Sequence, residues 1–334
     1  MSRHSAGPVS CAPFTLLRHC LPAVAVGCAM SSAAFAQGWP ERAVRVIIPF
    51  AAGGSSDAVA RLMSERLSVA KNQKFVPENR PGAGGAIAAE LVARAPADGY
   101  TLFFAATPQI ASVPLLQKVN YDPVKDFVPV SNVGINFFVL GVHRSVPASS
   151  VKELVEYAKA RPGKLVFGSA GTGTTGHLSS AMFLARAGLE MTHAPYKGGN
   201  LALAELLGGQ IQMVFGGASD FTPWLKDERI RVLAVSSEGR SPLFPGVPAL
   251  SELYPGFRSI GWNGFLAPAA TPKAIVDQLS KDIAAIVRDP AIAARLRGLG
   301  LDPVGDTPAE FAEFLRKDAP VWRDAVAAAG LKQE

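Results

Sequence analysis

Leu165-Val166-Phe167-Gly168-Ser169-Ala170-Gly171-Thr172-Gly173-Thr174-Thr175-Gly176-His177 is the stretch that decides how this chain is read. Its first three residues are an apolar run of strand character, and the residues after it repeat at helical spacing. Glycines and small hydroxyl residues between them leave backbone N–H groups uncovered where a helix begins. Unpaired amides and the positive end of the helix dipole coincide there, and together they suit an anion. The candidate contacts are Ser169, Ala170, Gly171, Thr172, Gly173, Thr174, Thr175 and His177. Gly171-x-Gly173-x-x-Gly176 also has the formal spacing of a dinucleotide fingerprint. It stands mid-chain, however, and the same amides serve a small anion directly, so no cofactor is expected.

A second loop of the same kind lies near the start of the fold, Pro49-Phe50-Ala51-Ala52-Gly53-Gly54-Ser55-Ser56-Asp57. It follows the β-branched run Val44 to Ile48 and precedes a helical pattern at Val59, Leu62, Met63 and Leu67. Phe50, Ala52, Gly53, Gly54 and Ser55 are its candidate contacts. Asp57 is either an N-cap or first-turn acid favoured by the dipole, or a partner for a ligand ammonium. Three further candidates end strands, where doubly wound sheets place ligand contacts: Thr107, Tyr196 and Lys197. The two glycine loops are expected to face each other across a cleft and grip one small carboxylate.

Apolar runs and breakers place a β-α-β-α-β series in each half, which specifies parallel strands with right-handed crossovers. Val128 to Val142 is long enough to run as two strands or to cross between lobes, with one hinge near Asn136 to Phe138 and the other between about Val235 and Ile260. The expected fold is α/β with two lobes, each a mostly parallel sheet flanked by helices. Residues 1–36 read as a signal peptide, 37–138 as the first part of lobe 1, 139–238 as lobe 2, and 239–334 as the return to lobe 1. Three C-terminal helices are expected, with Thr271 and Thr307 each preceding a proline as caps.

The leader has Arg3 and Arg18, a short apolar core and Ala34-Phe35-Ala36, which predicts cleavage after Ala36 and a periplasmic location. All three cysteines, Cys11, Cys20 and Cys28, lie inside it, so disulfides and Cys-bound metals are not expected in the mature chain. Roughly 300 remaining residues are ample for a large core. A net charge of +6 without a basic run argues against nucleic acid. A hydrolase needs a nucleophile, a base and an orienting acid. Spacing permits a set such as Ser169, His177 and Asp57, but there is no Gly-x-Ser-x-Gly elbow. The outstanding histidines, His143, His177 and His193, are scattered and make a poor metal site.

The chain resembles the extracytoplasmic solute receptors of tripartite tricarboxylate transporters, the Bug family. The markers run in order along it: Trp39-Pro40, Pro49 to Asp57, Asn79-Arg80-Pro81-Gly82-Ala83-Gly84-Gly85, Asp98-Gly99-Tyr100-Thr101-Leu102, and Tyr121-Asp122-Pro123. They continue with Gly168 to Gly173, Pro195-Tyr196-Lys197-Gly198, Leu207-Gly208-Gly209 and Trp262-x-Gly264. Val113 departs from the pattern, standing where the family commonly carries Asn. The resemblance implies a type II periplasmic-binding-protein fold that binds a carboxylate largely through main-chain amides and small hydroxyls. It implies a monomeric, non-enzymatic receptor with no metal, delivering a di- or tricarboxylate, acidic amino acid or aromatic acid to two membrane subunits. An exported hydrolase using a Ser/His pair, or a ligand sensor for a signalling partner, are the alternatives.

Overall fold

A computed structural model describes residues 38–331, together with 1, 2, 4 and 7. The leader, its cleavage point at Ala36 and the three cysteines therefore lie outside the described residues. The first series is β1 (Val44–Ile48), α1 (Ser55–Lys71), β2 (Phe75–Asn79), α2 (Ala86–Ala93) and β3 (Thr101–Ala106). β1 pairs in parallel with β2 and with β3, giving the order β2-β1-β3. Next come β4 (Phe127–His143) and α3 (Val151–Lys159).

The second series is β5 (Val166–Ser169), α4 (Thr175–Ala187), β6 (Thr192–Pro195), α5 (Gly199–Leu207) and β7 (Met213–Gly217). Its order, β6-β5-β7, repeats the first, again with parallel pairing. The chain closes with β8 (Ile230–Val235), β9 (Ile260–Pro268), α6 (Lys273–Arg288), α7 (Pro290–Gly298), β10 (Leu301–Pro303) and α8 (Pro308–Ala328). Fold class is α/β, as expected.

The two series are joined by antiparallel strands, chiefly the 17-residue β4. Up to Phe137 it pairs with β9, and from Phe138 or Val139 onward with β7 and β8. β9 in turn pairs antiparallel with β3. One strand thus belongs to both halves of the sheet, and the change of partner falls at Phe137–Phe138. A second crossing lies beside it. Phe138 N–H donates to Ser236 Oγ at 2.8 Å, and Ser236 Oγ donates to the Ser259 carbonyl.

Each half has its own apolar core. In the first, Phe103, Trp262 and Phe311 pack with the small face of α2, Ala86, Ala88 and Ala89. In the second, Phe167, Phe183 and Phe215 pack with Leu140 and Leu154. Burial of large apolar side chains contributes about 1.5–3 kcal/mol each, which fixes the strands and leaves their C-terminal ends as the free positions. Of the expected caps, Thr307 forms a reciprocal pair with Glu310, whereas Thr271 does not cap α6. There Pro272 holds the N-cap position, and the Thr271 hydroxyl is buried without a partner. An unpredicted cap, Asp289, accepts from Ala291 and Ile292 N–H and starts α7.

Candidate functional site

β1 and β5 each end in a glycine-rich loop that opens a helix. In the first loop, Gly53 takes φ +86°, a conformation that favours glycine, and donates its N–H to Asp57 Oδ2 at 2.8 Å. Arg61 Nε donates to the same oxygen at 2.8 Å, and Asn79 Nδ2 to Asp57 Oδ1 at 2.9 Å. Burial pushes the Asp57 carboxyl up, but the bonds from Arg61, Gly53 and Asn79 outweigh it and hold the group below its ordinary value. Asp57 is therefore neither an N-cap, a position held by Gly54, nor a group offered to a ligand. It braces the loop.

In the second loop Gly171 and Gly173 have φ +134° and +78°. Ser169 Oγ accepts from Gly171 N–H at 3.1 Å and lies 2.7 Å from His193 Nε2. His177 Nδ1 accepts from Gly173 N–H at 3.1 Å, which places its proton on Nε2. The His177 and His193 rings stack at 3.9 Å, and His193 stacks on Phe167 at 4.9 Å. Burial, with the neighbouring His193, depresses His177 to about 3, and burial depresses His193 to about 4. Both are neutral near pH 7.

The Ser169–His193 pair has the spacing of a nucleophile and base. Ser169 is completely buried, its hydroxyl is engaged with Gly171, and neither residue reaches the cavity. The set Ser169, His177 and Asp57 is not assembled either, since His177 Nδ1 and both Asp57 oxygens face backbone amides or Arg61 and Asn79. The pair serves to hold the loop.

Between the loops lies a cavity in which the centre of a water-sized sphere can occupy about 70 Å³. Of the expected residues, Phe50, Gly54 and Ser55 line it from the first loop, and Ala170, Thr174 and Thr175 from the second. Ala52, Gly53, Asp57, Thr107, Ser169, Gly171, Thr172, Gly173, His177, Tyr196 and Lys197 do not. Thr107 is buried and its Oγ1 accepts from Trp262 N–H at 3.0 Å. Tyr196 packs into the core beside α5. Lys197 is exposed, and it is its carbonyl that accepts from Ala51 N–H at 3.1 Å. Ala52 likewise offers its carbonyl to Asn200 Nδ2 at 2.9 Å.

Several lining residues were not anticipated. Asn136 and Phe138 come from the crossing strand, Gly216, Gly217 and Asp220 from the end of β7, and Gly261 and Trp262 from β9. The last lobe-two signal was present in the sequence: Gly216-Gly217-Ala218-Ser219-Asp220 nearly repeats Gly53-Gly54-Ser55-Ser56-Asp57. Asp220 Oδ1 accepts from Ser55 N–H at 3.0 Å, Oδ2 accepts from Gly217 N–H at 3.2 Å, and Ser219 Oγ donates to Ser55 Oγ at 2.6 Å. Burial raises the Asp220 carboxyl to about 6, opposed by the bonds from Ser55 and Gly217. Asp220 is the single charged side chain among the lining residues described.

At α4 the arrangement is different. Thr174 is the N-cap but makes no side-chain cap bond. The first-turn N–H groups of Thr175 and Gly176 have no intrahelical acceptor and no other acceptor among the described residues, and both residues line the cavity. A 13-residue helix thus turns its N-terminal amides toward the cavity, an arrangement that suits an anion. Among the described residues, no cluster of three His, Cys, Asp or Glu is placed to share a metal ion.

Residues 59–331 match the family model described as the tripartite tricarboxylate transporter family receptor, TctC. The chain belongs to this family. It is 32% identical to Protein BugT of Bordetella pertussis over 300 residues, covering 89% of this chain and 92% of BugT. Among solved structures it is similar to R. palustris Rpa4515 with adipate, at 35% identity and a TM-score of 0.86, covering 89% of this chain and all of that one. It is also similar to MatC (Rpa3494) from Rhodopseudomonas palustris with bound malate, at 29% identity and a TM-score of 0.82, covering 86% of this chain and all of MatC. As a TctC-family solute receptor, the chain shares its fold with proteins solved with adipate and with malate. No described helix is long and apolar enough to cross a membrane.

Proposed function

We propose that this TctC-family protein is a periplasmic receptor that captures a small carboxylate between its loops and delivers it to the membrane subunits of a tripartite transporter, without catalysing a reaction. The observation that carries this is the uncapped start of α4, whose Thr175 and Gly176 amides open into a cavity with no Lys or Arg in its lining. Such a seat holds a carboxylate by main-chain donors. Each charge-assisted bond contributes about 1.5–3 kcal/mol, and the helix terminus adds roughly 0.3–2 kcal/mol. A few such bonds reach the ~8 kcal/mol of a micromolar complex after ordering costs.

The reading takes residues 37–138 and 239–334 as one lobe and 139–238 as the other, closing about Phe137–Phe138 and Ser236–Ser259. Adipate in Rpa4515 and malate in MatC support the ligand class. The test is a thermal-shift screen of the mature chain against mono-, di- and tricarboxylates and amino carboxylates. A ligand at a hundred times its Kd adds about 2.7 kcal/mol of stability. If none of these moves the melting temperature, the carboxylate reading is wrong.

A further inference from the structure

The cavity is chemically lopsided. At one end, the Thr175 and Gly176 amides of α4 have no acceptor among the described residues. At the other, the Ser55 N–H of α1 already holds one, supplied by Asp220 from the opposite half of the molecule at 3.0 Å. Gly199 and Gly217 press against this carboxylate: a Cβ on Gly199 would stand 2.6 Å from Asp220 Oδ2, and one on Gly217 would stand 3.3 Å away. Asp220 is thus backed by Gly199 and Gly217 and tied to the α1 seat by its bonds from Ser55 and Gly217 N–H. No ion pair joins Asp220 to a Lys or Arg among the described residues. A second acceptor adds to the imbalance: Asn136 Oδ1 is buried, lines the same cavity and has no hydrogen-bond partner. A buried acceptor left open costs free energy until a donor reaches it.

We propose that Asp220 is the specificity-determining residue of this cavity, and that the ligand is a short amino carboxylate with its carboxylate at the start of α4 and its ammonium toward Asp220. The inference rests on the carboxylate-receptor reading above and narrows it. A dicarboxylate would bring its second charge against a partly buried carboxylate, and the two repel unless one of them takes up a proton. An ammonium meets an opposite charge there. The confined space between the loops favours a short ligand.

Three compounds of one chain length test this directly: 4-aminobutanoate, succinate and butanoate, titrated calorimetrically into the mature native protein. The expected order is 4-aminobutanoate tightest, at least about tenfold ahead of succinate, since one charge-assisted bond is gained in place of a repulsion. Asp220→Asn keeps an acceptor for Ser55 N–H and removes the charge. It should lower affinity for 4-aminobutanoate about tenfold to a hundredfold without weakening butanoate. Succinate binding as tightly as or tighter than 4-aminobutanoate in the native protein overturns the inference, whether or not the variant folds, and leaves the carboxylate receptor standing. An Asp220→Asn protein with native affinity for 4-aminobutanoate also overturns it. Silence of every carboxylate in this set and in the wider screen defeats the receptor reading, and the inference falls with it.

Discussion

α1 and α4 begin alike and end up doing different things. Each follows the first strand of a β-α-β-α-β series through a loop with glycines at positive φ, and each has an N-cap that makes no side-chain bond. At α1 the first amide is taken by the Asp220 carboxylate, whereas at α4 the first two amides are left for whatever enters. The backbone physics is the same, so the loop's own sequence does not assign the role. The assignment comes from what the rest of the chain sends across. The near-repeat of Gly53–Asp57 in Gly216–Asp220 shows this again. Asp57 bonds back onto its own loop, while Asp220 reaches from the short turn Ala218–Phe221 to the other half of the molecule.

The comparison is broken most severely by removing a donor from α4. Thr174 has φ −69° and ψ 157°, the extended conformation required before proline, and the first helical position tolerates proline. Thr175→Pro should therefore keep the helix while deleting one amide of the seat. Affinity for the tightest-binding carboxylate, measured by calorimetry, should fall about tenfold to a hundredfold, with the melting temperature little changed. Native affinity in this variant would put the anion seat elsewhere.

Next in size is Asp57→Asn, which probes the brace under α1. The carboxyl is 3% exposed and receives bonds from Gly53, Arg61 and Asn79. Loss of its charge should cost about 1–3 kcal/mol in urea unfolding, toward the lower figure because Arg61 is half exposed and screened. Since the folded carboxyl is held below 3.8, its contribution is present above that pH and fades as pH falls below it. If unfolding is unaltered at pH 7, Asp57 is not the brace and the two aspartates do not differ as argued.

Much of this was legible before the structure. Paired β-branched runs and glycine loops specified both parallel series, because strand and helix periodicities depend on near neighbours. The length of Val128 to Val142 left open two strands or one crossing strand, and the structure has one, Phe127–His143. The lining was less so. Thr107, Tyr196 and Lys197 end strands as expected, yet their side chains turn to the core or to solvent, and a strand's end does not fix which face its last side chain takes. Asn136 and Asp220 were missed because the importance of Asp220 lies in a partner 165 residues away and that of Asn136 Oδ1 in having none. Asp57 drew attention for its place in the first turn, and Asp220 has nearly the same local sequence. Only the tertiary contact with Ser55 separates them.

The histidine stack gives a smaller, pH-dependent effect on the α4 side. His177 and His193 have folded values of about 3 and about 4 against 6.5 ordinarily. As pH falls below 6.5 the unfolded chain takes up these protons first, so their contribution to stability is lost between 6.5 and those values. Asp220 and Asp306, both raised to about 6 by burial, act in the opposite sense and add stability as pH falls through 6. Comparison of native protein with His193→Gln isolates the first term, because glutamine keeps a partner for Ser169 and does not titrate. Between pH 7 and 5 the variant should lose less melting temperature than the native protein, by circular dichroism. Parallel curves would mean that His193 takes its proton without resistance and does not hold the α4 loop as a neutral ring.

The smallest expected effect is at Lys197, which is attractive from sequence as a partner for a carboxylate. Its side chain is exposed and outside the cavity lining, and the residue's link to the α1 loop is its carbonyl, which accepts from Ala51 N–H. Lys197→Ala preserves that carbonyl. Affinity for carboxylates should stay within about twofold, as for other solvated charges near a site. A tenfold loss would show that the ammonium reaches the ligand when bound. The α4 amides would then not hold the carboxylate alone, and the contrast between an occupied α1 and an open α4 would no longer account for where the ligand sits.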